Sequence, residues 1–341
     1  RAKCQVTMSD MSNKYLIVIL RFHGDVLLTK PMIDNIKLND PDSEIDLLVY
    51  KGTGSILEQE KNIAEIIEID NASKENFFSR INKEIKLWAK VRSKKYKYAF
   101  FLTTQWRVVP ISWAMGKAMK AAVDDKKRRK KLWTKSFSTI FPEALENHIV
   151  QRNLFALESL GLQIFKRDLA LDQTHLEIEY KALSKSFPYL NQDNSYCVIH
   201  PTSRREKKLW DKKKFAQLID LLVKKNFSVV ITSGPDQEEI NYVSEILGST
   251  DKVKNKVLNL AGKTSLLGLA ALIKGGKFFI GLDSVASHIA ASVNKESITL
   301  FGPSNPTNWK PWSDKSKIIV RDDMKNIEVE DVMSLVEEIY R

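Results

Sequence analysis

The sequence predicts an α/β fold made of two consecutive doubly wound domains, and three observations point to it. At ~150 residues per domain, 341 residues suffice for about two separate cores. Strand-length apolar runs alternate with stretches of helical periodicity, as in a parallel sheet covered by helices on both faces. That alternation occurs as two series, one beginning near residue 14 and the other near 195, with a polar, turn-rich segment between them.

The first series opens with the strand KYLIVIL (14–20), which RFHGD (21–25) interrupts. VLLTKPMIDNIKL (26–38) then has apolar residues at helical spacing, broken near its start by Pro31. EIDLLVY (44–50), SILEQEK (55–61) and AEIIEID (64–70) continue the alternation, followed by a polar helix near 75–94 and the strand YAFFLTT (98–104). The second series runs SYCVIH (195–200), a helix at 212–225, FSVVITS (227–233), a helix at 236–247, VLNLAG (257–262) and a helix at 265–274. It ends with KFFIGL (277–282), a helix near 286–293, SITLFG (297–302) and KIIV (317–320). Residues 165–194 read as a crossing segment whose final SFPYLNQDNS has the Pro and Asn content of a hinge. The expected boundaries are therefore 12–185 for an N-terminal domain and 186–325 for a C-terminal one. The amphipathic stretch within 326–341 is expected to pack on either domain.

Composition excludes several classes. Hydrophobic residues at 43% and charged residues at 28%, with 13 Gly and 10 Pro, rule out disordered and collagen-like chains. No run approaches the ~20 apolar residues of a spanning helix, so an integral membrane protein is not expected. The first residues lack a secretory apolar stretch, and Arg1 points to a natural start at Met8 or Met11. Cys4 and Cys197 are too distant in sequence to suggest a disulfide framework, which fits a reducing cytoplasm. The formal charge of +12 favours an anionic partner: nucleic acid, an anionic membrane face or a phosphorylated substrate. The excess is concentrated in KKRRKK (126–131) and RREKKLWDKKK (204–214).

In open α/β sheets ligands bind beyond the carboxyl ends of the strands, so the loops there are the candidate sites. The first, Arg21-Phe22-His23-Gly24-Asp25, sets a carboxylate and an imidazole after a buried strand, although spacing alone favours a helix N-cap for Asp25. A second, running from His200 through Thr202, Ser203 and Lys208 to Trp210, combines hydroxyls with cations suited to phosphate. In the third, Ser233 to Glu239, an acid is placed to accept from ribose hydroxyls, or simply enriches a helix N-terminus. Gly281 to His288, the fourth, opens a helix whose free N–H groups favour a diphosphate. The fifth, Phe301 to Pro306, is turn-rich. Five His residues stand at 23, 148, 175, 200 and 288 without ligand spacing, and the one DxD, Asp40-Pro41-Asp42, reads as a turn, so no metal site is expected.

Six ordered motifs together resemble the glycosyltransferase family that includes the bacterial lipopolysaccharide heptosyltransferases. They are R-x-H-G-D-V-L-L-T-x-P (21–31), K-x-W (208–210), G-P-D-x-E (234–238), L-A-G-K-T-S-L (260–266), D-S-x-x-S-H-x-A-A (283–291) and L-F-G-P-S-x-P (300–306). Within the family the chain is most similar to the members that add the third, side-branch heptose of the inner core. The resemblance implies a GT-B fold, with two doubly wound domains facing across a cleft. It also implies an inverting transfer from ADP-L-glycero-D-manno-heptose to a phosphorylated inner-core acceptor, without a cofactor or metal, at the cytoplasmic face of the inner membrane. Asp25 is then the general base, with Arg21, His23 and Gly24 on the acceptor side. Thr202, Ser203 and Lys208 take the diphosphate, Glu238 the ribose and Asp283 the heptose hydroxyls, with Ser284, Val285 and His288 completing the donor site. The family has Gly where this chain has Val285, a change that alters backbone approach to the phosphate. The basic run at 126–131 is expected to meet the anionic membrane.

Two other readings stay open at this stage. One keeps the fold with a different nucleotide-sugar donor. The other is a basic nucleic-acid-binding protein with KKRRKK as its contact strip, which a melting shift with ADP-sugar but not with nucleic acid would exclude.

Overall fold

A computed structural model describes residues 13–71, 77–124, 131–191, 196–250 and 254–340. The suggested start sites, Cys4 and residues 126–130 of the basic run lie outside the described residues. The chain divides into two compact units, 1–167 and 168–341.

Unit 1 contains β1 (Lys14–Ile19), α1 (His23–Leu27), α2 (Lys30–Asn39), β2 (Glu44–Tyr50), β3 (Glu65–Ile69) and α3 (Phe77–Lys94). It continues with β4 (Tyr98–Phe101), α4 (Val108–Ala114), β5 (Met119–Asp124), α5 (Lys131–Lys135), β6 (Thr139–Pro142) and α6 (Ile149–Glu158). Its six strands are parallel in the order β3-β2-β1-β4-β5-β6. Leu16, Ile17 and Val18 are fully buried because both faces of β1 are covered, which is why that strand reads as an unbroken apolar run. Pro31 splits the expected long helix into α1 and α2 by occupying the first turn of α2, where a missing N–H costs nothing.

Unit 2 contains α7 (Gln173–Ser186), β7 (Tyr196–His200), α8 (Lys212–Lys224), β8 (Ser228–Ser233), α9 (Gln237–Gly248), β9 (Val257–Ala261) and α10 (Leu266–Gly275). β10 (Phe279–Leu282), α11 (Val285–Ser292), β11 (Ser297–Phe301), α12 (Pro306–Trp309), β12 (Ser316–Val320) and α13 (Val329–Ile339) complete it. Its sheet has the order β12-β11-β10-β7-β8-β9, the same winding as the first. In each sheet the direction of strand addition reverses beside the first strand, between β1 and β4 and between β7 and β10. The carboxyl ends at these two switch points are the ligand-binding crevices of such sheets.

The division at 167/168 differs from the expected one near 185. Residues 163–166 are tied to α2, where Asn35 Oδ1 accepts from Phe165 N at 2.7 Å and Lys166 Nζ lies 3.3 Å from Asp34 Oδ2. Leu171 N instead donates to Ser292 O in unit 2. The segment read as a crossing contains α7, which packs on α10, where Gly275 leaves room for the Tyr180 ring. Helix α13 belongs to unit 2, with Val329, Val332 and Val336 in the core against α8.

Candidate active site

At the unit 1 switch point the chain leaves β1 through Arg21 and Phe22. Phe22, not Asp25, takes the N-cap position of α1, so the capping role that spacing suggests for Asp25 does not hold. Asp25 is the third residue of the helix, 9% exposed, with Oδ1 3.2 Å from Arg21 Nη1. Burial pushes its carboxyl above the usual range, while Arg21 and the N–H groups of Phe22 and Asp25 pull it back. The shift is in the direction that favours a proton acceptor. His23 and Gly24 are half-buried at the start of the same helix, and Arg21 is exposed.

The loop has a built floor. Gln105 Nε2 donates to Leu20 O at 2.9 Å, and its Oε1 accepts from Tyr50 Oη at 2.6 Å. From α6, Arg152 adds a half-buried guanidinium whose pKa is lowered, chiefly by desolvation, and which senses both Arg21 and Asp25. Its Nη2 is 3.4 Å from Glu143 Oε1, and its Nε has no partner among the described residues. Sequence reading missed Arg152, because nothing in its local pattern signals a neighbour so remote along the chain. A cavity of about 1090 Å³, between α3 and the carboxyl end of β3, shares Tyr50 and Gln105 with this floor and is lined further by Arg80, Lys83, Trp88 and Arg107, but not by Asp25.

At the unit 2 switch point four of the expected residues converge. Trp210 is buried against Phe215, with ring centroids 4.8 Å apart, and donates through Nε1 to Ile327 O at 3.0 Å. That anchor fixes the 3-10 turn Glu206–Lys208, and Lys208 Nζ meets Asp283 Oδ2 at 2.5 Å. This explains the K-x-W spacing: the ring holds the turn and the lysine reaches the strand end. Asp283 follows β10, where Gly281 sits so close to β7 that a Cβ would lie 3.1 Å from His200 O.

Ser284 is the N-cap of α11, yet its hydroxyl caps nothing and has no partner among the described residues. His288, one turn inside, is 4% exposed with an unpartnered Nδ1. Burial pushes its pKa down to about 4, with Asp283 opposing and Lys208 adding to the shift. Two orphaned polar groups and a cation around a helix N-terminus form a site equipped for an anion. Val285 opens α11 and is absent from the left-handed positions, which are Lys95, Ala144, Asn226, Asn294 and four glycines among the described residues. The backbone therefore has no need of glycine there.

Glu238 is exposed on α9, whereas Glu239 turns back to the strand ends. Glu239 Oε2 accepts from Gly234 N at 2.8 Å and from Thr202 Oγ1 at 2.5 Å, and Gly234 has no room for a side chain beside it. Thr202 is buried and Ser203 half-buried. Much of the second basic run is structural: Lys212 pairs with Glu245, and Lys214 lies 2.9 Å from Glu328.

The model of glycosyltransferase family 9 (heptosyltransferase) matches residues 84–336. The chain belongs to this family of heptosyltransferases. It is 35% identical over 295 residues to lipopolysaccharide heptosyltransferase 3 of Escherichia coli K12, covering 86% of this chain and 84% of that protein. It is 23% identical over 298 residues to the lipopolysaccharide core heptosyltransferase OpsX of Haemophilus influenzae, covering 87% and 81%.

Among solved structures, a family 9 glycosyltransferase of Veillonella parvula superposes with a TM-score of 0.81 at 18% identity, covering 96% of each chain. Escherichia coli ADP-heptose LPS heptosyltransferase II gives 0.79 at 19% identity, covering 96% of this chain and 98% of that one. These likenesses establish the GT-B type fold for this heptosyltransferase. Membership of family 9 makes the chain a glycosyltransferase. Among the described residues, no helix is long and apolar enough to cross a membrane.

Proposed function

We propose that this heptosyltransferase transfers heptose, with inversion, from ADP-L-glycero-D-manno-heptose to a phosphorylated inner core of lipopolysaccharide, as the side-branch heptose on the second core heptose. The observation that carries the donor side is the cluster at the head of α11, where Lys208, Asp283 and the orphaned Ser284 Oγ and His288 Nδ1 meet. The relative at 35% identity supports the choice of acceptor, and a solved structure entitled E. coli heptosyltransferase WaaC with ADP supports the nucleotide.

In this reading an acceptor hydroxyl attacks the anomeric carbon from the face opposite ADP, while Asp25 takes its proton. The bond from that carbon to the β-phosphate oxygen breaks, and its electron pair leaves with ADP. Lys208, the Ser284 hydroxyl and the free N–H groups of α11 receive the growing charge. Thr202, Ser203 and Val285 lie beside the diphosphate, Asp283 takes heptose hydroxyls once Lys208 turns to phosphate, and Glu239 rather than Glu238 faces the ribose. Arg21, His23, Gly24 and Arg152 serve the acceptor. No cofactor takes part, and protein cations take the charge on the diphosphate.

The enzyme works in the cytoplasm, held to the anionic inner-membrane face by the run at 126–131, where each Lys or Arg contributes ~1 kcal/mol. Incubation with ADP-heptose and truncated core acceptors, followed by mass spectrometry, tests donor and acceptor together: one added heptose supports the reading, and no transfer to any core acceptor contradicts it. Replacing four of the six cations is expected to release the protein from anionic vesicles. Unchanged co-sedimentation at low salt would remove the membrane contact.

A further inference from the structure

Behind the donor loops of unit 2 lies a line of hydrogen bonds that ends on Glu239. His200, the last residue of β7, is 7% exposed, and its Nδ1 is 3.0 Å from Thr232 Oγ1 of β8. Its Nε2 is 3.3 Å from Thr202 Oγ1, which in turn is 2.5 Å from Glu239 Oε2.

Proton counting gives this line one direction. A carboxylate only accepts, so the single hydroxyl proton of Thr202 goes to Glu239. Thr202 Oγ1 is then the acceptor toward His200, and the contact to Nε2 is a hydrogen bond only when Nε2 carries the hydrogen. A neutral ring protonated at Nε2 has a bare Nδ1, which accepts from the Thr232 hydroxyl. In the other tautomer Nδ1–H would donate to Thr232 and the Thr232 hydroxyl to Ile199 O at 3.3 Å, but the bare Nε2 would then face the Thr202 oxygen lone pair to lone pair. Burial keeps the ring neutral, with its pKa pushed down to about 4. At the far end Glu239 Oε2 is doubly occupied, by Thr202 and by Gly234 N, while Oε1 has no hydrogen bond among the described residues.

We propose that His200, as the Nε2–H tautomer matched to Thr202, is a positioning residue that orients Thr202 and leaves Glu239 with one oxygen held and the other presented to the donor nucleotide. This rests on the reading of unit 2 as the ADP-heptose site. His200 touches neither substrate and acts only through Thr202. Its effect is therefore on donor binding more than on the chemical step.

The test begins with wild-type protein and ADP in a calorimeter. Failure to bind ADP overturns the donor reading, and the proposed role with it. Given binding, His200→Leu is expected to weaken ADP and raise the donor KM about tenfold or more, with kcat at saturating donor changed by less than about threefold. His200→Gln, whose amide reaches toward Thr202 with an N–H donor, is expected to recover most of that loss. Thr232→Val, which removes only the far hydroxyl, is expected to lose about threefold. Nitrogen-15 NMR of histidine-labelled wild-type protein reads the tautomer directly and does not depend on any variant folding. An Nδ1–H tautomer at His200, or folded His200→Leu and Thr232→Val proteins that bind ADP as wild type does, would overturn the proposal.

Discussion

The two units wind their sheets in the same order, yet their switch points carry opposite chemistry. Beyond β1 stands a buried carboxylate whose environment raises its affinity for a proton. Beyond β7 and β10 stand a lysine, a helix N-terminus and polar groups without partners. The topology thus supplies two crevices of one kind, and a few loop residues make one fit to take a proton and the other fit to hold an anion. The proposed division of labour follows from that contrast, and each prediction below bears on one side of it.

The largest effect is expected at Asp25. Asp25→Asn removes the proton acceptor and should cut turnover by ~10²-fold or more in a steady-state assay. The same change should raise the melting temperature near neutral pH. A carboxyl whose folded pKa is raised contributes stability that is lost as pH rises through that pKa, so its charged form is a burden to the fold. Lower turnover with lower stability would instead make Asp25 a structural residue.

Lys208→Ala comes next. It should raise the donor KM and lower kcat together, with ~10²-fold lost in kcat/KM. It also leaves buried Asp283 without its cation, so Lys208→Arg, which keeps the charge, is expected to retain part of the activity. Unchanged kinetics in Lys208→Ala would move the role to Arg205 or Lys207.

A smaller, pH-dependent effect is expected from the two buried histidines of unit 2. His200 and His288 both have folded pKa values pushed from 6.5 to about 4, so the fold holds them neutral. Stability from this source is complete above about pH 6.5 and is lost as pH falls toward 4, on the order of 3 kcal/mol for each histidine. Denaturant midpoints measured between pH 7 and 4.5 should fall steeply, and less so in a His288→Gln variant. The smallest effect is no effect. EDTA should leave turnover unchanged, because Lys208 and the head of α11 supply the charge that a divalent ion would otherwise bring. Loss restored by a divalent ion would refute that.

Sequence reading was uneven across the two units for physical reasons. The strands of unit 2 and β1 to β4 of unit 1 were legible because each is a buried apolar run bounded by turn residues. From α4 to α6 the signal fails: β5 is MKAAVD, rich in helix formers, and becomes a strand only through pairing with β4 and β6. Helix α7 was missed because only Leu176 and Ser184 on it are buried, and its place is set by packing on α10.

In the candidate site, the clustering of Lys208, Asp283, Ser284 and His288 followed from motif order. The inward turn of Glu239 did not, since it depends on where α9 begins. With Asp236 as its N-cap, the third helical residue, Glu239, turns back to Gly234. Arg152 could not be found from spacing, because only the fold brings α6 near Asp25.

The most direct test of the proposed division of labour is the ADP dissociation constant of Asp25→Asn beside that of Lys208→Ala. If proton transfer belongs to unit 1 and the nucleotide to unit 2, Asp25→Asn should bind ADP within about twofold of wild type and Lys208→Ala should bind about tenfold or more weakly. Equal weakening in both variants, or a loss confined to Asp25→Asn, would contradict it.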